Sequence, residues 1–380
     1  MSRFVIVAGE SSGDLLASKI IDSIKEQLPD ATFEGVAGPQ MVKAGCLNWF
    51  NSSELSVMGI FGVLKHLPRI FLIRRRIMKR ILNNPPDAFI GIDSPDFNLT
   101  LEKKLKNKGI KTIHVVSPSF WAWRKNRVRS LNQSTDLLLC LFPFEEDLLR
   151  QHNVNAIFIG HPLADSVDHS IDISSARNTL QLDAQVKTVI TLMPGSRNTE
   201  IKRHAGLLFE AADLISKKYD LVEFVVPVVN DTIEQELKKL LTDRFQNLNV
   251  VITDNATLAL SACDLVITKS GTSTLEAALY KKPVIVVYKM SSLSYWFLRI
   301  FKIVQTDYIS LPNILLGKEV VPELIQKKAH PESIFNESVL YLSNQKVVKE
   351  LREQFNGLYL ELKKNASMLA TNAIIDILEE

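Results

Sequence analysis

Cysteine is scarce in the 380-residue sequence, where Cys46, Cys140 and Cys263 stand far apart. An odd, scattered set supports neither a disulfide framework nor a CxxC metal or redox site, and it fits a reducing cytoplasm. Long apolar runs are also missing. The first, Phe4–Ala8, is closed off by Glu10. It is too short for a signal peptide, and no later run nears the ~20 residues that span a bilayer, so a membrane substrate would be met from the surface. The seven histidines show no HExxH or H-x₃₋₅-H spacing and no two aspartates form a DxD pair. Zinc and metal-chelated sugar nucleotides therefore lack sequence support, and the chemistry is expected to use neither metal nor cofactor. Charge of one sign is nearly balanced, 45 Lys and Arg against 42 Asp and Glu for a net +3. Nucleic acid is thus not an expected partner, and any anion must be met by a local patch.

Apolar residues make up 46% of the chain, enough to fill the cores of about two domains at a typical ~100–200 residues each. Short runs rich in Val, Ile and Phe alternate with amphipathic stretches. Strands are predicted at 4–8, 33–37, 88–92, 112–116, 137–142 and 157–159, and again at 189–193, 223–229, 250–253, 265–268 and 284–288. The polar stretch DSVDHSIDISS, residues 165–175, separates the two series. The predicted fold is α/β, with two Rossmann-like doubly wound domains, 1–165 and 166–345, facing across a cleft at the carboxyl ends of their strands. A tail, 346–380, carries Val348, Leu351, Phe355, Leu358 and Leu362 on one helical stripe. That stripe can pack on its own chain or be exchanged with a second subunit.

Function is therefore sought in loops that follow strands. AGESSGD, residues 8–14, opens a helix where free N–H groups could hold an anion; it is neither a P-loop nor GxGxxG, and helix capping by Ser12 or Asp14 is the alternative. Asp93 follows strand 88–92, with Asp96 three residues on. Asp93 could be a general base, or either aspartate could form an Asx turn around Pro95. Residues 117–124, SPSFWAWR, place two tryptophans beside cations, suited to stacking on a sugar or to a buried aromatic cluster. In MPGSR, Arg197 stands beside a helix N-terminus, an unfavourable placement unless an anion such as a diphosphate offsets both charges, while Gly195 and Ser196 admit close backbone approach. In KSGTSTLEA, residues 269–277, Glu276 could take two ribose hydroxyls, or close a capping box with Ser273. Segment Val57–Arg80 joins apolar residues to Arg74, Arg75, Arg76, Lys79 and Arg80. It suits an anionic membrane surface or an acyl channel, or else a core helix with a solvated basic face.

Taken together, AGESSGD, GVAGPQM, ELSVMGI, GIDSPDFN, HVVSPSFWAWR, FIGHP, MPGSR, SGTSTLEA and TDYISLPNIL resemble the lipid-A-disaccharide synthase family, in its order and from residue 8 to about 316. The resemblance implies a GT-B glycosyltransferase, peripheral on the cytoplasmic face of the inner membrane. Such an enzyme inverts the donor carbon of UDP-2,3-diacylglucosamine and joins it β-1′,6 to 2,3-diacylglucosamine 1-phosphate, releasing UDP. It further implies Asp93 as the base on the acceptor 6-hydroxyl and Glu10 facing the acceptor. Arg197 would lie on the UDP phosphates, with Ser270, Gly271, Thr272 and Glu276 lining the nucleotide site and Asn313 near it. Family members form homodimers that exchange C-terminal elements, so the resemblance favours the exchanged reading of the tail over what the stripe alone supports. Two other classes stay open: a GT-B member using UDP-GlcNAc on another lipid acceptor or epimerising it, with little use for a basic, apolar 57–80, and a non-enzymatic, membrane-surface nucleotide-binding module that would keep Arg197 and Glu276 but tolerate loss of Asp93.

Overall fold

The computed structural model describes residues 2–55, 60–118, 128–290 and 306–379, excluding the side chains of 60–67 and 129. The cluster at 121–124 and the first part of Val57–Arg80 lie outside that description. Two compact units account for the chain. One comprises Met1–Asp165 with Leu362–Glu380, the other Ser166–Glu361.

The first unit is built on strands β1 (Arg3–Ala8), β2 (Thr32–Ala37), β3 (Cys46–Asn51), β4 (Ala88–Ile92), β5 (Lys111–Val115), β6 (Leu137–Cys140) and β7 (Ala156–Phe158). They form one parallel sheet in the order β3-β2-β1-β4-β5-β6-β7. Its helices are α1 (Ser11–Gln27), α2 (Pro39–Lys43), α3 (Ile60–Asn83), α4 (Pro95–Lys106), α5 (Val128–Asn132), α6 (Pro143–Arg150) and α7 (Pro162–Ser166). The uninterrupted apolar run of β1 is what a central strand covered on both faces requires. Alternation divides it: Phe4, Ile6 and Ala8 join a core with Ile20, Ile21 and Ile24 of α1. Val5 and Val7 meet Ile73, Ile77 and Ile81 of α3 and Leu101 of α4 on the other face.

The second unit repeats the scheme with β8 (Thr188–Met193), β9 (Val222–Pro227), β10 (Val250–Thr253), β11 (Leu265–Lys269), β12 (Val284–Tyr288) and β13 (Glu323–Ile325). Its parallel order is β10-β9-β8-β11-β12-β13. Helices α8 (Ile173–Thr179), α9 (Asn198–Ser216), α10 (Asp231–Arg244), α11 (Ala256–Ala262), α12 (Thr272–Leu279), α13 (Leu311–Leu316), α14 (Pro331–Ser343) and α15 (Gln345–Leu362) complete it, and α16 (Ala366–Glu379) closes the chain. The tail stripe is buried within the chain, from Val348 to Leu362. The tail divides after Glu361, however, and only its last segment, with α16, joins the first unit, where α16 packs on α1.

Each sheet reverses its strand order once, between β1 and β4 in the first unit and between β8 and β11 in the second. Loops leaving such a pair diverge to opposite faces and open a crevice beyond the strand ends.

Candidate functional site

At the β1/β4 reversal two loops touch. A Cβ on Gly9 would meet the Ser94 hydroxyl and lie 3.2 Å from Ser94 Cβ, so any side chain there would require Ser94 to move aside. Asp93 and Ser94 both hold left-handed backbone, with φ of 50° and 44°, and Val116 after β5 has φ of 78°. Non-glycine residues in that region carry strain that their surroundings must hold, and such strain clusters at sites of function. Here the Asp93 N–H donates to Val115 O at 2.8 Å. The Asn98 amide donates to Asp93 O at 2.9 Å, and to Ile92 O and Val7 O at 3.3 and 3.4 Å. Asn98 thereby ties both strand ends to the Asp93 turn, a role that its place in GIDSPDFN did not disclose.

The Asp93 carboxylate is half-buried, and among the described residues it accepts no hydrogen bond, so the Asx turn is not formed. Asp96 is exposed in the first turn of α4, and its carbonyl accepts from Arg74 at 2.9 Å. Glu10 is exposed at the start of α1 and makes no side-chain cap. Asp14 does cap a helix, but α2 rather than its own: its buried carboxylate takes the N–H groups of Gly38, Gln40 and Met41 at 2.9, 2.9 and 3.1 Å. Ser12 caps nothing.

In the second unit a cavity of about 650 Å³ opens at the ends of β8, β9 and β11, within the usual range for small-molecule sites. Gly195, Ser196, Lys269, Thr272, Ser273 and Glu276 contribute to its wall. Gly195 has φ of 131°, and a Cβ there would lie 2.5 Å from Glu200 Cβ. Arg197 stands at the N-terminus of α9 as expected, its side chain 55% exposed. The offset that the sequence assigns to a bound anion comes partly from Glu200 in the first turn. One oxygen lies 3.6 Å from Arg197 and 3.1 Å from Lys269 Nζ, and the other accepts the Ser196 N–H at 3.0 Å. Burial would raise the Glu200 carboxyl, but the Lys269 and Ser196 hydrogen bonds and the two cations hold it below its ordinary value. Two cations share one carboxylate beside the N-termini of α9 and α12, while Asp254 and Glu276 bring negative charge to the same wall.

The capping box at α12 is not formed. Gly271 is the N-cap, and Ser273 Oγ pairs with Thr268 Oγ1 at 2.8 Å. Glu276 instead lines the cavity; among the described residues its carboxylate accepts no hydrogen bond, and burial pushes its pKa up. Ser270 Oγ donates to Ile309 O at 2.8 Å, outside the cavity wall.

Asn313 is fully buried with its amide saturated. Nδ2 donates to Val321 O and Glu323, while Oδ1 accepts from the N–H groups of Val320 and Val321. No capacity is left for a ligand, so a direct contact is replaced by support: Glu323 also accepts from Ile309 and Ser310, and Leu311 N–H reaches Thr274 Oγ1 of α12 at 3.3 Å.

A family model described as Lipid-A-disaccharide synthetase matches residues 4–376. The lipid-A-disaccharide synthase 2 of Legionella pneumophila strain Paris is 44% identical over 379 residues, covering 100% of this chain and 97% of that one. Among solved structures, the glycotransferase of kitacinnamycin superposes with a TM-score of 0.68 at 15% identity, with 99% of both chains covered. A UDP-GlcNAc 2-epimerase from Neisseria meningitidis, bound to UDP-GlcNAc, gives 0.62 at 12% identity, covering 99% of this chain and 100% of that one. Those two likenesses speak for the fold, GT-B. The family match runs from β1 into α16 and so takes in both strand-order reversals and every residue placed at them: the chain belongs to the lipid-A-disaccharide synthase family, glycosyltransferases that assemble the lipid A disaccharide.

Proposed function

We propose that the two reversals divide the reaction, with the acceptor handled at Asp93 and the nucleotide at Arg197. The substrates are those of the family, UDP-2,3-diacylglucosamine and 2,3-diacylglucosamine 1-phosphate. Asp93 takes the proton of the acceptor 6-hydroxyl as that oxygen attacks the donor anomeric carbon from the face opposite the diphosphate, and the carbon–oxygen bond to UDP breaks with inversion. Arg197, with Lys269 behind it, meets the charge that accumulates on the leaving diphosphate. Glu276 accepts the ribose hydroxyls, the backbone at Gly195, Ser196, Gly271 and Thr272 lies along the nucleotide, and Ser270 and Asn313 hold the wall in place. Glu10 faces the acceptor from the β1 loop.

One observation carries this reading. A carboxylate in a strained turn, without a partner among the described residues, and a cavity flanked by Lys269, Arg197 and two helix N-termini fall at equivalent strand-order reversals in two parallel sheets.

The reading extends to the inner-membrane surface, where the acyl chains of both substrates reside. On α3, Phe71, Leu72 and Leu82 are exposed beside Arg75, Arg76 and Lys79, whereas Ile73, Ile77 and Ile81 are core residues. Arg74 is committed elsewhere, 4.9 Å over the Phe97 ring. No described helix is long and apolar enough to cross a bilayer.

Incubation of the protein with both substrates in detergent and EDTA, read by mass spectrometry, should show the disaccharide 1-phosphate and an equal amount of UDP. UDP without disaccharide would overturn the acceptor; neither product from folded, UDP-binding protein would overturn the enzyme reading of this chain's site.

A further inference from the structure

A second cavity, of about 420 Å³, lies on the first unit between the end of α3 and the edge strand β3, lined by Trp49, Phe50, Arg76, Lys79, Arg80 and Asn83. It lies away from the β1/β4 reversal, and nothing in the glycosyl transfer uses it. Three cations enclose it. Among the described residues none of the three forms an ion pair, although Arg69 of the same helix pairs with Glu54 at 2.8 Å. The carboxylate associated with Trp49 is already taken: Glu34 accepts from the indole N–H at 3.1 Å and pairs with Arg3. The indole is thus pinned, and the Arg80 guanidinium lies 5.2 Å above its ring. The C-terminal dipole of α3 accounts for a cation near Arg80, but not for three converging on a cavity with an amide donor at Asn83.

We propose that this cavity binds the phosphodiester headgroup of an anionic membrane lipid. Two guanidinium groups, an ammonium and an amide supply donors for the non-bridging phosphate oxygens. The cavity is larger than inorganic phosphate fills, leaving room for the glycerol arms. Apolar side chains flank it where acyl chains would continue: Leu72 one helical turn before Arg76, Leu82 one turn after Lys79, and Leu47 two residues before Trp49, 47%, 44% and 65% exposed. The inference deepens the membrane reading of α3, turning a diffuse basic face into a site with defined donors.

The test is flotation of the full-length protein with phosphatidylglycerol-containing vesicles, without sugar substrates. Arg76→Gln/Lys79→Gln/Arg80→Gln should lose at least tenfold in vesicle affinity. Lys104→Gln/Lys108→Gln/Lys239→Gln removes as much charge from exposed sites elsewhere and should lose less than threefold. Arg76→Lys/Arg80→Lys keeps the charge but removes both guanidinium forks, and should also weaken binding severalfold. Equal losses in the two Gln triples, or wild-type affinity in the Lys double, would reduce the site to diffuse attraction and overturn the proposal. Titration with inorganic phosphate provides the other arm: saturation at submillimolar concentration, abolished in the Gln triple, would make this a free-phosphate site. Thermal melting checks that each variant is folded, and glycosyl transfer in detergent micelles is scored separately, so failure here leaves the catalytic reading standing.

Discussion

Asp93 is held by its backbone, and among the described residues its carboxylate has no partner, the combination a general base needs. Replacing it by Asn keeps the size and the turn but cannot accept a proton. Turnover should fall by two or more orders of magnitude, within the ~10²–10⁴ usual for general acid–base catalysis, with UDP affinity unchanged in calorimetry. Wild-type turnover would remove Asp93 from the role. Arg197 is half-exposed and already shares Glu200, so its loss should cost the lower end of a charge-assisted contact. Arg197→Ala is expected to weaken UDP about tenfold, ~1.4 kcal/mol, and unaltered affinity would count against it. Glu276 offers a pH signature. Burial raises its pKa in the free protein, whereas ribose hydroxyls donated to it favour the ionised form, so UDP affinity should climb with pH through that raised pKa and level off above it. The UDP phosphate titrates in the same direction. The quantity to measure is therefore the difference from Glu276→Gln, whose profile should be shallower; superimposable profiles would exclude the contact.

Elements show where sequence reading succeeds and where it stops. The central strands β1, β4, β8 and β11 are legible because burial on both faces demands unbroken apolar runs. The edge strands β3 and β13 go unnoticed: β3 reads CLNWFN, where Asn48 and Asn51 interrupt the apolar residues, and β13 is three residues long. The site divides similarly. Residues that end strands, Asp93, Gly195 to Arg197 and Lys269 to Thr272, stand out by position. The groups supporting them are less legible: Asn98 and Glu200 make short-range contacts to Asp93, Ser196 and Arg197 that their place in the motif does not single out, and also reach Val7 and Lys269 from far along the chain. Capping follows the same rule. Asp165 takes the N–H groups of Asn365 and Ala366 at 2.9 and 2.6 Å, closing the start of α16 from two hundred residues away. Asp165→Ala should therefore cost about 1–2 kcal/mol and lower the melting temperature by several degrees, and an unchanged calorimetric transition would contradict it.

At the scale of the whole molecule, the first unit is discontinuous, since its fold requires a helix that arrives only after the second unit is complete. Ala370, Ile374 and Ile377 of α16 are buried in the same core as Ile20, Ile21 and Ile24 of α1, and Gln27 donates to Asn372 at 2.8 Å. Removing α16 uncovers both sides of that contact. At roughly 25 cal/mol per Å² of apolar surface the loss is on the order of 5–10 kcal/mol, comparable to the ~5–15 kcal/mol that stabilises a whole domain. A fragment of residues 1–165 should therefore retain far-ultraviolet dichroism while binding a hydrophobic dye and losing near-ultraviolet signal. Adding a peptide of residues 362–380 in trans should restore the near-ultraviolet signal. A fragment that folds alone would show that α16 is dispensable. Restoration by the peptide would show that the core recognises α16 without its covalent connection, the physical condition under which two chains could exchange that helix in a dimer.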